Sequence, residues 1–144
     1  MYDEHKECLQ KELLQVVEVE IADNIALDTI IELRHPILKI YDLKASAYIN
    51  YKCSDGMATI EGLIDESIYY VGFLDWMVYY QPYQQKFSRM YNDPKIKKDM
   101  KIISQIELKP EQILSSIHKD YELKQTILVK IMLHICSREF ISSG

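Results

Sequence analysis

The amino-acid sequence predicts an all-α protein, with residues 1–144 forming a compact single domain of six to seven helices in a globin-like or irregular bundle. Glycine and proline are scarce, at four residues each in 144, which is about half of average usage. Few tight turns are therefore available for a sandwich or a barrel. Apolar residues also recur at spacings of three and four, as on an amphipathic helix. The content of 48% apolar and 27% charged residues excludes an intrinsically disordered chain.

The N-terminal third predicts two helices. Residues 4–22 and residues 25–34 each place their apolar side chains on one helical face. His35-Pro36 follows directly, and a residue before proline is pushed away from helical geometry. The second helix is therefore expected to end at this dipeptide.

The next segment supports two interpretations. Residues 37–53 place several apolar residues on one helical face, but residues 43–53 also alternate between apolar and polar, as a strand does. If residues 57–63 were a second strand, Ser54-Asp55-Gly56 would be the turn of a β-hairpin over 43–63. The helix is favoured because alanine and lysine prefer helices and because the neighbouring segments are predicted to be helical.

The rest of the chain predicts further helices. Residues 57–80 form the most apolar one. Pro82, Pro94 and Pro110 each fit the first position of a helix, where proline loses no hydrogen bond. A long apolar helix is expected from about residue 122 to residue 140.

Composition and charge narrow the function classes. The net charge is −5, and residues 1–35 hold nine acids against three bases, so we expect binding to neither nucleic acid nor membrane. The three cysteines are widely spaced without a C-x-x-C motif, which argues against a disulfide scaffold or a zinc site. The charged N-terminus has no features of a signal peptide. The expected location is the cytoplasm.

Asp75 is the main candidate for a ligand-binding residue. It lies in the most apolar predicted helix, where a buried carboxyl group needs a partner or loses its charge. Gly72 and Tyr79 would share its helical face, and the glycine would leave a notch beside the carboxylate. With Trp76 next to it and Tyr48 from the tyrosine-rich middle of the chain, these residues form the predicted ligand site. The alternative is a purely structural acid bonded to a tyrosine or a lysine.

A second candidate site is an anion-binding stripe. Lys130, His134 and Arg138 are four residues apart, so they would lie on one side of the last predicted helix. The alternative is an ordinary solvated face. None of the four histidines stands at metal-ligand spacing from another ligand, and no nucleophile or phosphate-loop motif is present. We therefore expect no metal, no cofactor, no catalytic residues and no enzymatic activity.

These observations favour a non-enzymatic ligand-sensing or regulatory domain, with an apolar, tyrosine-lined pocket for a small molecule, that acts as a homodimer. One alternative is a small interaction or inhibitor protein that blocks a protein partner by surface contact. That alternative predicts a large exposed patch instead of a pocket beside Asp75. A winged-helix DNA-binding regulator is the third candidate, and it requires the hairpin over 43–63.

Overall fold

The protein is built from β-strands. A computed structural model describes residues 14–139, and this part of the chain contains one 3-10 helix, Pro110–Gln112, and no α-helix. The all-α prediction, whether globin-like or an irregular bundle, is therefore wrong, and so is each α-helix predicted within these residues. Within residues 14–139 no helix could cross a membrane. The strands are β1 (Leu14–Glu32), β2 (Ile37–Ser54), β3 (Met57–Gly72), β4 (Val78–Asn92), β5 (Lys101–Glu107), β6 (Ile113–Lys119) and β7 (Glu122–Glu139).

The strands form two antiparallel sheets. In the first sheet β7 is central, and β1 pairs with it along one edge. Along its other edge, β5 pairs with residues 130–136 of β7 and β6 pairs with residues 122–127. In the second sheet β3 lies between β2 and β4. The inner faces of the two sheets pack together and form a β-sandwich.

The segment with two interpretations is a hairpin. β2 and β3 pair from the Ile37–Gly72 contact to the Ser54–Met57 contact, so the strand alternative is the one that the chain adopts. Gly56 has a φ of 80° in the connecting turn, a conformation that glycine adopts without steric cost. Asp55-Gly56 thus joins two strands and does not end a helix.

The strands follow a period of two. Along β3 the even-numbered residues from Ala58 to Tyr70 point into the sandwich and are buried. Along β7 the odd-numbered residues from Leu123 to Ile135 do the same. Burial of one face of each sheet holds this alternation in place, because a shift of one residue would expose the whole apolar set.

The core consists of two apolar clusters. The larger one joins β1, β2, β3, β4, β5 and β7, and Ile96 of the β4–β5 connection is fully buried in it. The smaller one lies toward the other end of the sandwich, around Ile31, Ile68 and Leu123. Two inward polar residues, Glu66 and Gln125, are buried at the level between the clusters.

Candidate functional site

The connection between β3 and β4 is the most apolar exposed segment among the described residues. We call residues 73–78 the apolar turn. It lies beside the β1–β2 connection, because the backbone N–H of Phe73 donates a hydrogen bond to the carbonyl of Pro36 (2.8 Å). The turn is closed by two further backbone bonds, from Gly72 N to Met77 O (2.8 Å) and from Trp76 N to Gly72 O (3.0 Å).

Asp75 organises the apolar turn from within. Its Oδ1 accepts a hydrogen bond from the backbone N–H of Met77 (3.0 Å), and its Oδ2 accepts one from the hydroxyl of Tyr79. Gly72 leaves the room for this arrangement. A Cβ atom at that position would lie 2.7 Å from Asp75 Oδ1 and 2.7 Å from Tyr79 Cε2.

Asp75 is exposed, whereas the predicted helix would have buried it. The helix prediction was wrong here, because residues 73–77 form a turn between two strands. The hydrogen bond from Tyr79 and the one from the Met77 backbone hold the pKa of Asp75 below its usual value. Gly72 does leave space beside the Asp75 carboxylate, and Tyr79 does lie next to it, but these residues are in a turn and not on a helix.

Aromatic residues of β3, β4 and the β1–β2 connection pack beside the apolar turn. The ring of His35 stacks on that of Tyr79, with ring centroids 3.9 Å apart and an angle of 17° between the planes. The hydroxyl of Tyr70, which is almost fully buried, accepts a hydrogen bond from the backbone N–H of His35 (3.1 Å). Tyr79 is therefore held on one side by His35 and on the other by Asp75.

The side chains of the apolar turn point to solvent. Leu74 is 77% exposed and Trp76 is 71% exposed, and Phe73, Met77 and Val78 are also exposed. Trp76 adopts a positive φ of 59°, which is uncommon for a bulky residue and stores strain. The fold thus holds a strained tryptophan at the surface, where its side chain packs little against the core.

Tyr48 does not belong to this group. It lies on the outer face of β2 and pairs with Leu63, whereas Gly72 pairs with Ile37 at the other end of the same hairpin. Tyr48 borders a separate depression of about 260 Å³ together with Lys86. Of the predicted ligand site, the structure brings together Gly72, Asp75, Trp76 and Tyr79 only.

The predicted anion stripe is also spread out. Lys130 and His134 share the outer face of β7, but residues four apart in a strand are about 13 Å from each other. His134 Nε2 lies 3.0 Å from Glu20 Oε1. The pKa of Glu107 is lowered mainly by its hydrogen bond from Lys109, and the nearby charge of Lys130 lowers it further. The side chain of Arg138 lies outside the described residues. Lys130 and His134 therefore each face an acidic residue of a neighbouring strand.

Several residues of the apolar turn and its surroundings were not among the predicted site residues. Phe73, Leu74 and Met77 lie inside the most apolar predicted helix, and His35 is predicted only to mark the end of the second helix. Their signal is the run of seven apolar or aromatic residues that surround Asp75 in residues 73–80. A strand-based interpretation would have placed that run between two alternating segments.

Neither a metal site nor a similar protein indicates the function. Residues 14–139 contain no group of three or more His, Cys, Asp or Glu side chains placed to hold a metal ion. No protein-family model matches the chain, and no curated protein or solved structure is significantly similar to it.

Proposed function

We propose that the protein is a non-catalytic interaction module that binds a protein partner through the apolar turn. The observation that carries this proposal is the set of five exposed apolar side chains at 73, 74, 76, 77 and 78. Contiguous exposed apolar surface of this kind marks interaction sites in soluble proteins. Tryptophan is also among the residues that most often dominate the binding energy of an interface.

The rigidity of the turn favours binding. The bonds to Asp75 and the backbone bonds within the turn hold Trp76 and its neighbours in one arrangement before a partner arrives. A partner then loses less conformational entropy in ordering them. Asp75 and Gly72 therefore act as positioning residues, and the side chains around them make the contact.

The charge of the turn favours a protein over a lipid bilayer. The pKa of Asp75 is lowered by its hydrogen bonds from Tyr79 and from the Met77 backbone, so the carboxylate stays ionised at neutral pH. Placing a charged carboxylate in hydrocarbon is costly. In the rim of a protein interface the same charge remains hydrated or paired.

This function corresponds to the interaction alternative from the sequence, which predicts an exposed patch. The ligand-sensing function and the homodimer stay predictions, and a second copy of the chain is one protein that the turn could contact. A winged-helix regulator needs α-helices, and residues 14–139 contain none, so we do not carry it further.

Site-specific photo-crosslinking tests the proposal in the cells that express the protein. A benzophenone amino acid replaces Trp76 in one variant and Met90 in the other. Met90 is the control because it is exposed (59%) and lies near the opposite end of β4. We expect one polypeptide to crosslink from position 76 and not from position 90. The purified polypeptide should bind the wild type and lose at least about tenfold in affinity with Trp76→Ala, but not with Met90→Ala.

The emission of Trp76 separates the possible partners. It is the only tryptophan in the chain, so a change in its emission reports on the turn directly. The wild type should show no spectral change with phosphatidylcholine or phosphatidylglycerol vesicles. A vesicle-induced blue shift, or crosslinks from position 76 to lipid alone, would overturn a protein partner in favour of a membrane.

A further inference from the structure

A layer of polar side chains crosses the middle of the core. Glu66 on β3 pairs with Tyr83 on β4 and with Ala45 on β2. In the opposing sheet, Gln125 on β7 pairs with Thr29 on β1 and with Ser115 on β6. These residues lie at one level, between the two apolar clusters.

Some members of this layer have hydrogen-bond partners. Thr29 Oγ1 and the Tyr83 hydroxyl lie 3.1 Å apart, and Gln125 Nε2 donates to Ser115 Oγ (3.3 Å). Three acceptor atoms lie within hydrogen-bond distance of no donor: Oε1 of Gln125 and both carboxyl oxygens of Glu66. The Gln125 amide is close enough to Glu66 to lower its pKa, against the larger rise caused by burial, but it does not complete a bond. Glu66 is 1% exposed. A buried acceptor without a donor is destabilising, so this arrangement needs an explanation.

One unpartnered donor is present nearby. Gln85 Nε2 is buried without a partner, but Gln85 pairs with Ile64, two residue pairs further along the sheet than Glu66. The level of Glu66 itself therefore has a surplus of acceptors. A ligand suited to this level donates hydrogen bonds and carries a positive charge.

A cleft lies beside this layer and meets it at Ser115. β2 and β6 are edge strands that pair only within their own sheets. Between them is a cleft of about 220 Å³, lined by Ile40, Leu43, Pro110, Ile113 and Ser115. Ser115 joins the cleft to the polar layer, because its hydroxyl is bonded to Gln125. On β2 the neighbour of Glu66 is Ala45, whose side chain is only a methyl group.

We propose that the cleft between β2 and β6 binds a small apolar molecule with an amine head, whose ammonium group pairs with the carboxylate of Glu66. The lining is largely aliphatic, which suits a ring or a short chain. A cavity of about 150 Å³ accommodates benzene, so this cleft accommodates a ring with a short arm. The ammonium group supplies the donors that Glu66 and Gln125 lack, and a carboxylate–ammonium bond is of the stronger, charge-assisted kind.

This site is separate from the apolar turn. The residues of the cleft and of the polar layer include none of residues 73–78, so either proposal can fail without the other.

The test uses the full chain with three probes that share a ring and differ in the head group: benzylamine, benzyl alcohol and benzoate. Binding is followed at pH 7 by the NMR signals of the Gln125 side-chain amide and the Ser115 backbone amide. We expect benzylamine to shift both signals saturably, with benzyl alcohol binding at least about tenfold more weakly and benzoate not binding.

Two variants and one control connect the binding to Glu66. Glu66→Gln keeps the size of the side chain and should weaken benzylamine at least about tenfold, whereas Glu61→Gln, the same change on the exposed face of β3, should have no effect. Ala45→Leu should block benzylamine while Glu66 remains. The proposal is overturned if benzylamine produces no saturable shift, if the three probes bind equally, or if Glu66→Gln binds benzylamine as the wild type does.

Discussion

Replacing Glu66 by glutamine should stabilise the protein, and the gain should grow with pH. Burial raises the pKa of Glu66, and the nearby amide of Gln125 offsets part of that rise. The native state therefore holds a proton over a pH range in which the unfolded chain has lost it. Stability from this group is fully present below the ordinary glutamate pKa of about 4.3 and is lost as the pH rises through the native pKa.

The magnitude follows from the unpartnered atoms. Both oxygens of Glu66 and Oε1 of Gln125 lack donors, and an unsatisfied buried polar group costs about 1–3 kcal/mol. A glutamine amide can donate to Gln125 Oε1 at any pH. We expect the free energy of unfolding at pH 8 to rise by about 1–3 kcal/mol, or the Tm by about 3–10 °C for a chain of this size.

The assay is urea unfolding followed by circular dichroism at pH 4.5 and at pH 8, without added ligand. The gain for Glu66→Gln over wild type should be small at pH 4.5, where a neutral Glu66 can itself donate to Gln125, and full at pH 8. Glu61→Gln, exposed on the same strand, is the control and should change little at either pH. A gain that is equal at both pH values, or a loss of stability at pH 8, would refute the reasoning.

Three further substitutions test the packing and the turn. Phe87→Ala should cost about 3–5 kcal/mol in urea unfolding, because the buried ring covers Gly62, where a Cβ atom would overlap it; a loss below about 1 kcal/mol would mean that the core closes over the gap. Gly72→Ala places a Cβ 2.7 Å from Asp75 Oδ1, so an NMR titration should find the pKa of Asp75 raised toward its ordinary value, and an unchanged pKa would contradict the positioning role of the glycine. Trp76→Ala should change the free energy of unfolding by less than about 0.5 kcal/mol, since the side chain is 71% exposed; a larger loss would show that the tryptophan supports the fold.

The scarcity of glycine and proline did not distinguish helices from long strands. Five of the strands are 15 to 19 residues long, and a few long strands need as few turns as a helical bundle does. Another feature of the composition pointed the other way. The chain has 20 isoleucines and 11 tyrosines, and β-branched and aromatic residues are enriched in strands.

The spacing of apolar residues also predicted helices where the chain forms strands. β7 buries every second residue from Leu123 to Ile135, but Leu128 and Met132 on its outer face are apolar as well. Apolar residues on both faces also produce spacings of three and four, which imitate a helix. In β3 the alternation is interrupted by Gly62 and Glu66, which point into the core, and by outward apolar residues such as Leu63.

The sequence by itself determined the relationships that span a few residues. Gly72, Asp75 and Tyr79 were expected to lie close together, and the structure keeps them together in a turn. Asp55-Gly56 was favoured as the end of a helix and was a hairpin turn only in the alternative, which is the one the chain adopts. Whether Asp75 is buried was not a local property.

Only the tertiary structure decided the fold class and the polar layer. β1 pairs with β7, so that Leu14 meets Glu139 across almost the whole chain, and Glu66 faces Gln125 from the opposite sheet. Strand pairing draws its stability from such distant partners, whereas a helix closes its hydrogen bonds within four residues. A segment whose apolar pattern fits both a helix and a strand therefore takes its conformation from the strand that pairs with it and from the sheet that covers its apolar face.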